Sequence, residues 1–192
     1  MIREQIRPTL FSFVWLTAIT GIIYPLLITG IAQVFFKDQA NGSLIFKDGR
    51  PVGSALIGQP FDDPKYLWGR PSATSPAPFN AASSSGSNYG PMNPDYLKVV
   101  ETRIRALKDG DSPNPALIPV DLVTGSASGL DPHISLAGAY YQVSRIARAR
   151  GIPGDEVKKI IQKNTQDRLL GLLGEPAVNV LKVNLDLDRF KK

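Results

Sequence analysis

The chain has no cysteine and a single histidine, His133, in 192 residues. Without cysteine there is no disulfide, no thiolate metal site and no cysteine nucleophile. One histidine among scattered carboxylates offers no metal-ligand spacing, so no metal site is expected. No glycine-rich loop ending in Lys-Ser or Lys-Thr is present, and no G-x-S-x-G elbow. Charge of one sign is not in large excess: 22 Lys and Arg stand against 17 Asp and Glu, a net +5. These charges are dispersed. Lys158 and Lys159, or Arg145, Arg148 and Arg150, suit solvated helix faces, so nucleic acid is not expected as a partner.

What the chain does have is a long uncharged run from Leu10 to Phe36, and about 20 apolar residues suffice to cross a bilayer. A cleaved signal peptide needs only about 7–15 apolar residues and small residues at its cleavage site. Here the run ends on Val34, Phe35 and Phe36, which predicts a retained anchor. Arg3 and Arg7 precede it. The layout expected is a short cytoplasmic tail over 1–9, a transmembrane helix over 10–36, and an extracytoplasmic α+β domain over 37–192. That makes it a single-pass protein of the cytoplasmic (inner) membrane.

Within the anchor, Thr17, Gly21, Pro25 and Thr29 recur every four residues. Such a face of small residues lets a second helix approach closely in lipid, or else it is an incidental feature of an ordinary anchor.

Beyond the anchor, Ser43–Phe46 and Val52–Ile57 flank Asp48-Gly49, a hairpin signal. From Gln59 to Asn93 the chain is dense in Pro, Gly, Ser and Asn, but Tyr66, Trp68, Phe79 and Tyr89 punctuate it. Aromatic residues are scarce in true linkers, so an ordered loop is expected. Asn93-Pro94 predicts a helix start, with Leu97, Val100, Ile104 and Leu107 on one face and Gly110 at the end. PVDLVTGS reads as a short strand. Ser135 is placed to cap a helix with Leu136, Ala139, Val143 and Ile146 inward, ending at Gly151. GDEVKKIIQKN reads as a further short helix. Leu181, Val183, Leu185 and Leu187 alternate with polar residues, which predicts a strand. Elements in this order fit an α+β fold with a small sheet.

The lone histidine lies in SASGLDPHIS, Ser126 to Ser135. Serine, aspartate and histidine so close in sequence do not make a triad, whose members converge from separate segments. No catalytic residue is therefore assigned. Gly125 and Gly129 allow unusual backbone angles, Asp131-Pro132 starts a turn, and Ser135 caps a helix. On that reading His133 is a surface or hydrogen-bonded residue. The alternative is a contact surface, because amides at a glycine-rich helix start can hold an anion.

Four stretches together resemble the C subunits of the bacterial Kdp potassium-transporting P-type ATPases: ITGIIYPLLITGIAQVFF, NGSLI…GSALIGQPF, GRPSAT…GSN…NP and VTGSASGLDPHIS…A…Q. The likeness continues to the terminal VNVLKVNLDLD. Gly125 is a minor departure, standing where a residue with a side chain is expected. The resemblance implies a non-catalytic accessory subunit of an ATP-driven potassium importer. Its partners would be a channel-like potassium-translocating subunit and a P-type ATPase subunit.

The resemblance also implies support of assembly and a catalytic-chaperone role that raises the ATP affinity of the pump subunit. ATP would then enter only through that partner, since this chain lacks the P-type phosphorylation motif. The residues matching the proposed nucleotide signature are Ser126, Ser128, Gly129 and Gln142, and Asp131 and His133 join them as candidate nucleotide or partner contacts. A domain outside the membrane cannot touch cytoplasmic ATP, so such an influence has to pass through packed helices. The competing expectation is a free-standing anchored sensor or solute-binding protein.

Overall fold

The computed structural model describes residues 2–112 and 114–190 and divides into two compact units, Met1–Leu44 and Ile45–Lys192.

In the first unit, α1 (Ile2–Ala18) passes through one π-helical turn, Ile19–Ile23, into α2 (Tyr24–Phe35). The short α3 (Lys37–Ala40) follows. From Glu4 to Phe35 the helix is long and apolar enough to span a bilayer. Leu10, Phe13, Leu26 and Val34 are all exposed on it, a surface that water disfavours at about 25 cal/mol per Å².

The π turn accounts for Pro25. Proline has no N–H and clashes with the carbonyl four residues back; just before it, the Tyr24 N–H bonds to the Ile19 carbonyl, five residues back. The wider turn also acts on the small-residue face. Each four-residue step overshoots an α-helical turn of 3.6 residues by about 40°. A π turn between Thr17 and Pro25 takes up part of that drift.

The second unit begins within a hairpin of β1 (Leu44–Lys47) and β2 (Arg50–Ser54). Asp48 and Gly49 take φ of 53° and 76° between them, the paired positive angles of a tight hairpin turn. The long loop after it is fixed by its own hydroxyls. Ser72 Oγ accepts from the Phe79 amide at 2.9 Å, and Thr74 Oγ1 donates to the Ala77 carbonyl at 2.7 Å.

Helix α4 (Pro94–Gly110) begins where expected, with the Asn93 side chain accepting from the Asp95 amide and Leu107 buried. Strand β3 (His133–Ser135) leads into α5 (Leu136–Tyr141). Helices α6 (Val143–Arg150) and α7 (Gly154–Lys163), then β4 (Thr165–Gln166), follow. The chain closes with β5 (Ala177–Asn179) and α8 (Val180–Arg189). The sheet is antiparallel in the order β3-β5-β4, with Ile134 opposite Val178. Around the fully buried Val178 pack Leu67, Leu122, Ile146, Val157, Ile161 and Val183.

Three expectations from sequence are corrected. PVDLVTGS holds a 3₁₀ turn, Val120–Leu122, in place of a strand. There the Asp121 carboxylate accepts the Ser135 amide at 2.6 Å, so the segment braces the start of α5 and pairs with no strand. The alternating stretch from Leu181 is helix α8. Val180, Leu181, Val183, Asn184 and Leu187 are buried, a three-and-four spacing, and Asn179 caps the helix by accepting from the Lys182 amide. Over so few residues, alternation and helical spacing coincide, and the capping asparagine decides. Finally, the helix expected to run unbroken to Gly151 is interrupted at Gln142, which caps α5 and α6. Its end is as expected: Gly151 is left-handed at φ 62°, with the 152→147 and 151→148 amide–carbonyl bonds of a Schellman cap.

Candidate functional site

Side chains of the Ser126–His133 loop accept hydrogen bonds from three of its own amides. Ser126 Oγ accepts from the Gly129 amide at 2.9 Å, and Ser128 Oγ accepts from the Leu130 amide at 3.1 Å. Asp131 Oδ1 accepts from the His133 amide at 2.9 Å. These N–H groups, which a glycine-rich loop would present to a phosphate, are thus already bonded.

The loop is laced to the serine-rich loop beside it. The Ser128 carbonyl accepts from the Ser85 amide and the Ser84 hydroxyl, both at 3.0 Å. The Gly129 carbonyl accepts from Ser72 Oγ at 2.7 Å. Gly129 has φ 68°, and a Cβ there would lie 2.6 Å from the Ser85 carbonyl oxygen and from Thr74 Cγ2. Only glycine fits.

Arg70 braces the same loop. It donates to the Gly125 carbonyl at 3.0 Å and meets the Asp131 carboxylate at 3.2 Å. Burial pushes the Asp131 carboxyl up, but hydrogen bonds from His133 and the Arg70 charge outweigh it and hold it below its ordinary value. His133 Nδ1 lies 3.7 Å from Asp131 and its Nε2 lies 3.4 Å from the Asn179 amide. Neither ring nitrogen faces a serine, so the geometry of a nucleophile and its base is not met. Among the described residues no group of three or more His, Asp or Glu could hold a metal.

Ser126, Ser128 and Asp131 share one shallow hollow with Arg70, Leu130 and Pro132, and Gly129 and His133 belong to the same loop. Gln142 does not join them. It is 1% exposed in the core. Its Oε1 accepts from the Trp68 amide at 2.8 Å, and its Nε2 donates to the Trp68 carbonyl at 3.0 Å and the Gly138 carbonyl at 3.1 Å. Arg145 also donates to Oε1.

Asn184 repeats the arrangement one residue earlier, accepting from the Leu67 amide at 2.7 Å and donating to its carbonyl at 3.0 Å. Two buried amides, one at the junction of α5 and α6 and one on α8, therefore clamp the Trp68 and Leu67 peptide groups of the long loop. Arg145 completes this centre. It stacks on the Trp68 ring at 4.1 Å, and burial pulls its pKa down to about 10 against the opposing charge of Asp111.

Arg145, expected on a solvated helix face, is instead 3% exposed and packed on Trp68, and neither Asn184 nor the clamped peptide group of Trp68 was expected from the sequence. For Arg145 and Asn184 the signal was there, as polar residues on the inner faces of α6 and α8, where apolar ones are the rule. In the first unit, Thr17, Gly21, Pro25 and Thr29 lie along the helix on both sides of the π turn.

Fold and site together define a class: a small α+β unit with a serine and glycine loop braced by its own side chains, preceded by the one helix, among the described residues, long and apolar enough to span a membrane. Residues 6–189 match the family described as K+-transporting ATPase, c chain. The potassium-transporting ATPase KdpC subunit of Methylibium petroleiphilum is 59% identical over 186 residues, covering 97% of each chain. That of Polaromonas naphthalenivorans is 57% identical over 189 residues, 98% of this chain and 96% of its own. The Dechloromonas aromatica subunit is 57% identical over 190 residues, 99% of this chain and 100% of its own. The chain belongs to the KdpC family of potassium-transporting ATPase subunits. It is thereby an accessory subunit of a potassium-transporting complex and has its partners there.

Proposed function

We propose that the chain is a non-catalytic subunit tethered in the cytoplasmic membrane by Glu4–Phe35, with the unit from Ile45 onward outside the cell membrane. Its partners are a channel-like potassium-translocating subunit and a P-type ATPase subunit. It supports their assembly and raises the pump's ATP affinity from a distance. Small residues along the anchor suit packing against a partner helix, and the hollow at Ser126, Ser128 and Asp131, on the loop that also carries Gly129 and His133, suits contact with a partner outside the membrane.

One observation carries the indirect part of this reading: the Gln142 amide is fully engaged inside the core with Trp68, Gly138 and Arg145. A residue so placed supports the fold and has no hydrogen bond left for a nucleotide. Any effect on ATP then has to be a coupling between distant sites, with different contacts in two states of the complex.

Purification in mild detergent tests the subunit reading. The chain is expected to bring a multi-span channel protein and a P-type ATPase with it. A chain that comes alone is a free-standing anchored sensor or binding protein, and the proposal fails.

A further inference from the structure

Arg103 lies partly buried on α4. Its Nε donates to the Leu122 carbonyl at 3.1 Å and its Nη2 to the Gly69 carbonyl at 2.9 Å. The guanidinium lies 5.6 Å from the centre of the Trp68 ring. A guanidinium has five N–H donors, and these two bonds occupy its Nε–Nη2 edge. Among the described residues the Nη1 end meets no acceptor, and no carboxylate pairs with Arg103. Burial alone pushes its pKa down, whereas at Arg145 the charge of Asp111 opposes the same effect. Arg103 stays charged at neutral pH all the same. It is a cation short of water and without a close counter-charge.

The same side chain lines a half-open hollow of about 260 Å³, with Gln59, Asp62, Arg70, Ser72 and Phe79. This second hollow shares Arg70 with the one at Ser126. Most polar groups around it are committed. Gln59 Nε2 donates to the Val52 carbonyl at 2.8 Å, and Ser72 Oγ holds the Phe79 amide and the Gly129 carbonyl. Arg70 is paired with Asp131. Asp62 is exposed and, among the described residues, forms an ion pair with neither arginine.

We propose that this hollow is an anion site, in which the unused end of Arg103 holds a single carboxylate group. A planar guanidinium matches a carboxylate through two parallel bonds. Asp62 repels a doubly charged anion twice as strongly as a singly charged one, which favours a carboxylate over a phosphate dianion. The volume falls below the roughly 300–1,000 Å³ of pockets for drug-sized ligands, and suits a small acid or one inserted side chain. The carboxylate has two sources, a free solute or an Asp or Glu side chain of another subunit. The second source rests on the subunit reading above; the site itself does not.

The test footprints Arg103 in the wild-type chain, solubilised in mild detergent. Phenylglyoxal, which modifies accessible guanidinium groups, is applied at equal ionic strength in sodium chloride and in sodium acetate. Modified residues are read by mass spectrometry. Acetate is expected to slow modification of Arg103 severalfold and to leave the exposed Arg50 unchanged. Equal rates at Arg103 in the two salts overturn the site, and so does an Arg103 that reacts in neither.

The whole complex separates the sources. If acetate still protects Arg103 there, the ligand is a solute. If Arg103 is protected without acetate, and a carbodiimide joins the Arg103→Lys variant to an Asp or Glu of another subunit, the carboxylate comes from that subunit. A crosslink from a folded Arg103→Lys only to Asp62 overturns the proposal, because the chain's own carboxylate then fills the hollow. A chain that purifies without partners removes the second source and the subunit reading together, and the acetate comparison still decides the site.

Discussion

Replacing Gln142 with alanine separates a structural amide from a nucleotide contact. The substitution leaves the Trp68 N–H and C=O without their side-chain partners, in a core where Gln142 itself is 1% exposed. Each buried main-chain group so orphaned costs about 1–3 kcal/mol, so the pair amounts to roughly 2–6 kcal/mol on that principle. A domain of this size has a total stability of about 5–15 kcal/mol. The unfolding midpoint of the detergent-solubilised chain, followed by circular dichroism, is therefore expected to fall on the order of 10 °C.

Gln142→Glu is the informative companion. Its carboxylate still accepts from the Trp68 amide and from Arg145, but it turns an acceptor toward the Trp68 and Gly138 carbonyls. Its midpoint is expected between wild type and alanine. The assay pairs this melt with the ATP dependence of the reconstituted pump. An unchanged midpoint in Gln142→Ala, together with a raised KM for ATP, would show that the amide serves the nucleotide and refute the reasoning.

Further outcomes follow from the same contacts. Gly129→Ala forces an L-residue to φ 68° and a Cβ against Ser85 and Thr74. It should cost roughly 1–2 kcal/mol from the backbone alone, with the clash adding to that, read as a lowered urea midpoint. Asn179→Ala removes the α8 cap and the bond to the Ala55 carbonyl. It should cost about 1 kcal/mol or more in the same measurement. Asp131 has its carboxyl held below the ordinary value of 3.8, so it contributes stability above that pH and loses it as pH falls through its folded value. Asp131→Asn should therefore lower stability at pH 7 while flattening the fall below about pH 4, checked by melts across pH 2.5–7 (a range chosen to bracket that pKa). An equally steep acid limb in the variant would rule that origin out.

How far the chain could be read from sequence depended on how local the signal was. The hairpin at Asp48-Gly49, the Asn93 and Ser135 caps and the Gly151 terminator each rest on one or two residues with a fixed conformational role, and all stand in the structure. Helix α8 was misread because LKVNLDLD satisfies both periods; the Asn179 cap favours the helix locally, and Asn184, turned inward to clamp Leu67, adds a tertiary contact that alternation would have placed outside. The site divides in the same way. Ser126, Ser128, Gly129 and Asp131 are neighbours in sequence and form one loop in space. Gln142 follows them in sequence, yet its partner Trp68 is far away along the chain. No local pattern announces a contact across such a distance.

The central claim is that the folded unit lies outside the cell membrane, coupled to a pump whose nucleotide it does not touch. The lack of cysteine permits a direct test. A single cysteine at Lys98 or at Lys158, both on exposed positions, can be treated with a membrane-impermeant maleimide on intact spheroplasts. The account predicts labelling before lysis at the same level as after it. Labelling that appears only after lysis would place the folded unit in the cytoplasm and contradict the account.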